Sequence, residues 1–173
     1  MKSELELMLQ RDFPFMKQNN VDEEKNLYRC FGCDCGDGWY ELLSDCCRQI
    51  SDRYAEEGVP VDFVPTQIKE KFGTLRFYYG YEDAPCGIAA FDCLGSGTSV
   101  RFETSNESVD EKKQKLRQDI ADIVRKAEER SKHTCEICGH EGVLRTDLRW
   151  IRTLCNSCYD KHKVAIENSK NRS

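Results

Sequence analysis

Four cysteines in two CxxC pairs, Cys135-Glu-Ile-Cys138 and Cys155-Asn-Ser-Cys158, carry the strongest chemical signal in the chain. Sixteen residues separate the pairs. Each CxxC turn aims two sulfurs at one centre, and the intervening loop brings the second pair to meet the first. The pattern suits four thiolates around one zinc ion. Gly139 follows the first pair, where a tight knuckle needs a residue tolerant of positive φ. Four cysteines leave no open position on the metal, so it would build structure rather than catalyse. The other readings are a disulfide or redox pair, or uncoordinated core thiols. His133, His140 and His162 lie nearby and could each replace a cysteine, but four well-spaced sulfurs leave them no need to.

The elements around these cysteines read as a zinc treble clef, or zinc ribbon. The first pair sits on a knuckle, a short hairpin follows, and the second pair opens a helix from Cys155 to about Asn168. A helix N-terminus favours thiolates through its N–H groups and dipole. HNH nucleases share this architecture. Their chemistry needs a general-base histidine in the hairpin and a second metal held by His, Asn or Asp. The stretch Gly142–Leu154 has no histidine and one carboxylate, Asp147. His162 alone cannot supply both base and metal site. The hairpin does carry Arg145, Arg149 and Arg152 around Trp150. Together they could grip a phosphate or an acidic protein surface, or Trp150 could pack inward and leave the arginines solvated. Lys69, Lys71 and Arg76 form a second basic cluster, which could bind a partner or simply keep a sheet face soluble.

Cys30, Cys33, Cys35, Cys46 and Cys47 raise the question of a second metal. Their spacing is irregular beyond Cys33, and adjacent Cys46 and Cys47 face different ways on a helix, so buried thiols are the simpler reading. Cys86 and Cys93 read as small apolar residues of a hairpin. A cysteine nucleophile needs a base, and all three histidines fall in the zinc module. No P-loop, dinucleotide fingerprint or serine elbow is present. The chemistry points to a protein that is not an enzyme.

Composition sets the setting. A third of the 173 residues are charged and 39% are hydrophobic, ordinary for a globular chain. No apolar run reaches the roughly 20 residues of a membrane span. The start, MKSELELMLQRDF, lacks a secretory apolar core, and eleven cysteines then suggest a reducing cytoplasm. Residues 132–173 hold eight Lys/Arg against five Asp/Glu, a formal +3, while residues 1–131 are formally −8. Four thiolates on zinc add about two negative charges to the tail. A globally basic nucleic-acid binder is not indicated.

Periodicity supplies the elements. A helix is expected over Ser3–Met16, then a loop over Gln18–Lys25. A second helix runs from Gly38 to about Glu57, capped by Asp37 and stopped at Gly58. Its stripe of Trp39, Leu43, Cys46, Ile50 and Tyr54 is core. Val61–Tyr81 reads as a hairpin turning at Phe72-Gly73. Cys86–Leu94 and Ser99–Thr104 could pair as another. Val109–Ser131 is a helix whose apolar stripe is Leu116, Ile120, Ile123 and Ala127. The fold class is α+β: helices on a small antiparallel sheet over residues 1–131, then the zinc module over 132–173.

Three stretches, CGDGWYELL at 35–43, QIKEKFGTLRFYY at 67–79 and TCEICG…LRWIRTLCNSC at 134–158, occur in that order. In this the chain resembles a family of short zinc-ribbon proteins from tailed phages and prophages. Residues 82–108 look like an insertion in that pattern, and Cys33 and Cys46 stand where such relatives have apolar residues. The resemblance implies a compact zinc protein of a mobile element, working in the host cytoplasm, and supplies no catalytic residues. The family it resembles has no established activity; the chain itself reads as a binding protein that docks on a partner macromolecule, and the resemblance points to a host protein, such as a defence or transcription component, as that partner. A divergent treble-clef nuclease and a nucleic-acid binder are the alternatives. Arg145, Arg149, Trp150, Arg152, Lys69, Lys71 and Arg76 are the candidate contacts.

Overall fold

The computed structural model describes residues 1–17, 26–83 and 111–170, with the backbone of 91–92 and 99–100. Helix α1 spans Ser3–Asp12. It stops short of the expected Met16 because Phe13 precedes a proline and is pushed to extended backbone (φ −127°, ψ 91°). A 3-10 turn, Pro14–Met16, follows. The short helix α2, Leu27–Phe31, starts where the Asn26 side chain accepts the Arg29 N–H. Strand β1 is only Cys33–Asp34. A 3-10 turn over Asp37–Trp39 leads into α3, Tyr40–Glu57, which ends at Gly58 with φ 67°. Asp37 does not cap this helix. Its carboxylate accepts from the Lys2 backbone N–H at 2.7 Å and pairs with Lys2 Nζ at 3.0 Å.

Strands β2, Phe63–Lys71, and β3, Thr74–Tyr81, form the expected antiparallel hairpin, with Lys69 opposite Arg76. The register shifts between Pro65 and Gln67. The sheet is nonetheless mixed, in the order β1-β2-β3, because β1 joins β2 in parallel. The crossover through α3 permits that direction. Strands β4, Phe91–Asp92, and β5, Ser99–Val100, pair antiparallel within the second hairpin expected from sequence. Its other residues, including Cys86 and Cys93, lie outside the described ones.

Helix α4, Glu111–Ser131, buries Leu116, Ile120, Val124 and Ala127, with Ile123 at the flank of the stripe. That stripe packs with the α3 stripe and with Phe63, Ile68, Leu75 and Phe77 of the sheet into one core. α4 also covers the sheet edge. Ser131 Oγ accepts the Leu75 N–H at 2.8 Å and Glu128 Oε1 the Phe77 N–H at 3.0 Å, so two β3 donors are satisfied without another strand. Strands β6, Val143–Arg145, and β7, Arg152–Leu154, then lead to α5, Asn156–Lys170. Leu148 and Leu154 join Cys135 and Cys158 in a second, smaller core. No described helix is long and apolar enough to cross a membrane.

The β2–β3 turn has φ 53° at Phe72 and 75° at Gly73, the sign pattern of a type I′ turn. Glycine fits there; a bulky aromatic costs about 1–2 kcal/mol. Phe72→Asn should therefore raise stability by about 1 kcal/mol, since asparagine tolerates this backbone and the Phe72 ring is half in solvent. Urea unfolding checks it: the midpoint should rise at unchanged slope. A lower midpoint would show that ring packing outweighs the backbone strain.

Candidate metal centre

The first cysteine pair is folded by its own backbone. Gly139 takes φ 77°, so its N–H reaches the Cys135 carbonyl at 2.9 Å. The Cys135 N–H donates to the His140 carbonyl at 2.7 Å, closing the knuckle. The second pair straddles the start of α5: Cys155 precedes its first residue and Cys158 lies in its first turn. The Cys158 N–H donates to Cys155 Sγ at 3.4 Å. That hydrogen bond is the main reason the Cys155 thiol is held down at about 7, whereas burial pushes the Cys158 thiol up. A backbone hydrogen bond links the pairs, from Glu136 N–H to the Thr153 carbonyl at 3.0 Å.

All four sulfurs lie within 4.8 Å of one another, and Cys138 and Cys155 are 3.6 Å apart at sulfur. Zinc–sulfur bonds of about 2.3 Å at tetrahedral angles place sulfurs about 3.8 Å apart. The donor set therefore fits one metal ion. Cys135 and Cys158 are buried, Cys155 is half-buried and Cys138 is exposed. His140 Nδ1 sits 3.4 Å from Cys138 Sγ, placed to hydrogen-bond the sulfur. His133 is exposed and His162 half-buried on α5. Among the described residues these four cysteines are the one group of three or more metal-ligating side chains. Cys33, Cys35, Cys46 and Cys47 are buried, whereas Cys30 is exposed. Desolvation pushes the Cys35 and Cys46 thiols up to about 12 and raises Cys33 and Cys47 too. They behave as apolar core.

The knuckle rests on the Cys35-Gly-Asp-Gly38 turn. A β-carbon on Gly38 would lie 2.3 Å from the Cys135 carbonyl oxygen and 2.6 Å from the Cys138 nitrogen; one on Gly36 would lie 2.2 Å from the Glu136 carbonyl oxygen. Only glycine permits this approach. The Gly38 N–H donates to the Glu136 carbonyl at 2.8 Å, and the buried Trp39 indole donates to the Thr134 carbonyl at 2.9 Å. Glu136, between the first two cysteines, is itself buried, and its carboxylate takes Arg152 Nε at 2.9 Å.

The candidate contacts divide. Arg152 is held by Glu136. Arg145 donates to Asn156 Oδ1 and lies over the Tyr159 ring, 4.3 Å from its centroid. Arg149 is exposed, with no ion-pair partner among the described residues. Trp150 is 63% exposed, and its indole N–H donates to Glu70 Oε2 at 2.7 Å. Lys69 and Arg76 face each other across the hairpin, with Lys69 over the Tyr78 ring and Lys71 over that of Phe72. Glu136 and the seat at Gly36 and Gly38 are not among the residues the sequence singles out. A charged residue inside a CxxC pair, and two glycines flanking Asp37 before a tryptophan, were the available signals. No family model matches the chain, and neither a curated protein nor a solved structure does.

Gly38→Ala should push the knuckle off its seat. We expect a loss of about 3 kcal/mol and faster surrender of the metal to a chelator. Gly58→Ala is the control: its added carbon meets nothing within 4 Å, so only the αL cost of about 1–2 kcal/mol applies and chelation is unchanged. Equal chelation rates in both variants would contradict the seating.

Proposed function

We propose that this chain is a zinc protein of the treble-clef kind, not an enzyme, that acts by docking on a partner macromolecule. One observation carries the reading: four protein sulfurs converge on one point, so a tetrahedral ion there has no position left for water or substrate. Zinc suits a site made only of thiolates. His140 would hydrogen-bond the Cys138 thiolate, and the Cys158 N–H the Cys155 thiolate, each stabilising a ligand's charge. The hairpin's carboxylate, Asp147, accepts from Tyr159 Oη and pairs with Lys163 at 3.1 Å, so it is engaged away from any general-base role. The phage resemblance makes a host defence or transcription protein the partner to look for.

A nucleic-acid reading has one observation in its favour, the exposed Trp150 beside Arg149, since bases stack on such a ring. Yet of the three hairpin arginines only Arg149 stands without an internal partner among the described residues. A log–log salt slope of about −1, and weak binding, should follow for duplex DNA. Sub-micromolar binding near physiological salt would favour nucleic acid instead. Protein purified without added metal should contain one equivalent of zinc by elemental analysis and should leave DNA and RNA uncut with Mg²⁺ or Mn²⁺. Two equivalents would mean that the Cys30, Cys33 and Cys35 stretch also binds metal, and cleavage abolished by His162→Ala would promote the nuclease. The docking itself is tested by placing a photoreactive residue at position 149: in the host lysate it should cross-link one protein in preference to nucleic acid.

A further inference from the structure

The four cysteines do not meet water equally. Cys135 is fully buried and Cys158 is 9% exposed, and both pack with Leu148 and Leu154 in the smaller core. Cys138 is exposed and Cys155 is half-buried. His140 Nδ1 lies 3.4 Å from Cys138 Sγ yet leaves that residue open to solvent. A cavity of about 210 Å³ has Cys155 in its wall, beside Glu141, Val143, Arg145 and Asn156. A partly polar cavity of this size admits water-sized molecules to that side of the site.

The two outer cysteines are also neighbours. Their sulfurs are 3.6 Å apart, which is contact distance. A disulfide brings sulfurs to about 2.05 Å, so side-chain rotation has a gap of about 1.5 Å to close. The two come from opposite pairs, one on the knuckle and one just before α5. The inner two are held by their surroundings. Cys135 donates its N–H to the His140 carbonyl, and its own carbonyl accepts the Gly139 N–H. Cys158 lies inside the first turn of α5. Burial and backbone thus divide the four ligands into an inner pair and an outer pair.

A sulfur that ligates a metal is a thiolate. Oxidation of thiolates follows exposure, and redox-sensing cysteines stand next to a resolving cysteine. We infer that Cys138 and Cys155 form a peroxide-responsive pair that opens the metal site by closing a disulfide across it. The inference rests on the zinc reading above and adds the regulation of that site. The Cys138 thiolate attacks a peroxide: an S–O bond forms, the O–O bond breaks and hydroxide leaves. The sulfur gives up two electrons and the peroxide takes them. The Cys155 thiolate then attacks the Cys138 sulfenic acid: an S–S bond forms, the S–O bond breaks and a second hydroxide leaves, to be protonated by solvent. Two of the four ligands are spent, and Cys135 and Cys158 alone hold the ion weakly. The β6–β7 hairpin lies inside the new covalent loop, between Cys138 and Cys155. Where the surroundings are reducing, such disulfides are transient and sensing, and a dithiol resets the site.

The test uses the full chain, purified under reductant and then freed of it. Elemental analysis comes first: absence of zinc would sink the zinc reading, and this inference with it, whereas every later result bears on the inference alone. Hydrogen peroxide is then added beside a chromogenic zinc chelator, at a chelator level that strips nothing by itself. The bound zinc should be released in step with the loss of two hydrogen atoms from the protein mass. Samples taken early in the release, alkylated and digested, should show Cys138 joined to Cys155 and should show Cys135 and Cys158 alkylated. Dithiothreitol and added zinc should restore the starting protein. Cys30→Ser removes an exposed thiol outside the site and should release zinc at the parent's rate. That control, and the peptide map of the unaltered chain, need no ligand substitution that could unfold the module. The inference is overturned if peroxide leaves the zinc bound, if the first disulfide lies within one CxxC pair or involves Cys135 or Cys158, if dithiothreitol fails to restore the site, or if Cys30→Ser stops the release.

Discussion

Two pieces of backbone meet here with no space for a side chain between them. The knuckle from Cys135 to Gly139 lies on the turn from Gly36 to Gly38, with no room for a side-chain carbon at either glycine. Two hydrogen bonds fix the contact, from Gly38 N–H to Glu136 and from the Trp39 indole to Thr134. The turn that seats the knuckle also opens α3, whose buried face is the centre of the main core. A metal drawn to the four cysteines would thus be braced against the largest helix-packed unit of the fold. Metal affinity and folding are then one equilibrium, as in other small metal-built domains.

A second seam runs parallel to the first. Thr153 donates to Gly73 and Trp150 to Glu70, so the β6–β7 hairpin is fastened to the tip of the sheet. The Glu136–Arg152 pair joins a buried carboxylate to a partly exposed guanidinium, so removing Arg152 would leave the Glu136 charge buried without its partner. This division of labour explains the hairpin's charges. Arg152 maintains the interior and Arg145 packs on Tyr159, while Arg149 and Trp150 remain outward.

The features legible in the sequence are those written in local spacing. The cysteine ligands show as CxxC pairs, the α3 face as a helical stripe, and the β2–β3 hairpin as alternation ending in Phe72-Gly73. What local spacing missed depends on distant partners. β1 is two residues in a cysteine-glycine stretch, too short for any pattern, and its parallel pairing comes from the α3 crossover. Asp37 has the composition of a helix cap but meets Lys2, 35 residues away. The burial of Glu136 and the choice among the arginines are set by contacts across the seams. The short α2 helix depends on a single Asn26 cap. On α4 the spacing points to Ile123, while the buried residue is its neighbour Val124, because the two are equally apolar.

Hydrogen exchange at Gly38 and at the Trp39 indole, followed by NMR before and after any metal at the four cysteines is stripped by a chelator, tests the seating most directly. With metal bound, both protons should be protected along with the amides of Glu136 and Gly139. After chelation all four should exchange together, while amides inside α3 such as that of Ile50 stay slow. Continued protection of Gly38 and the Trp39 indole in the metal-free protein would contradict the account, for the knuckle would then hold its seat without a metal.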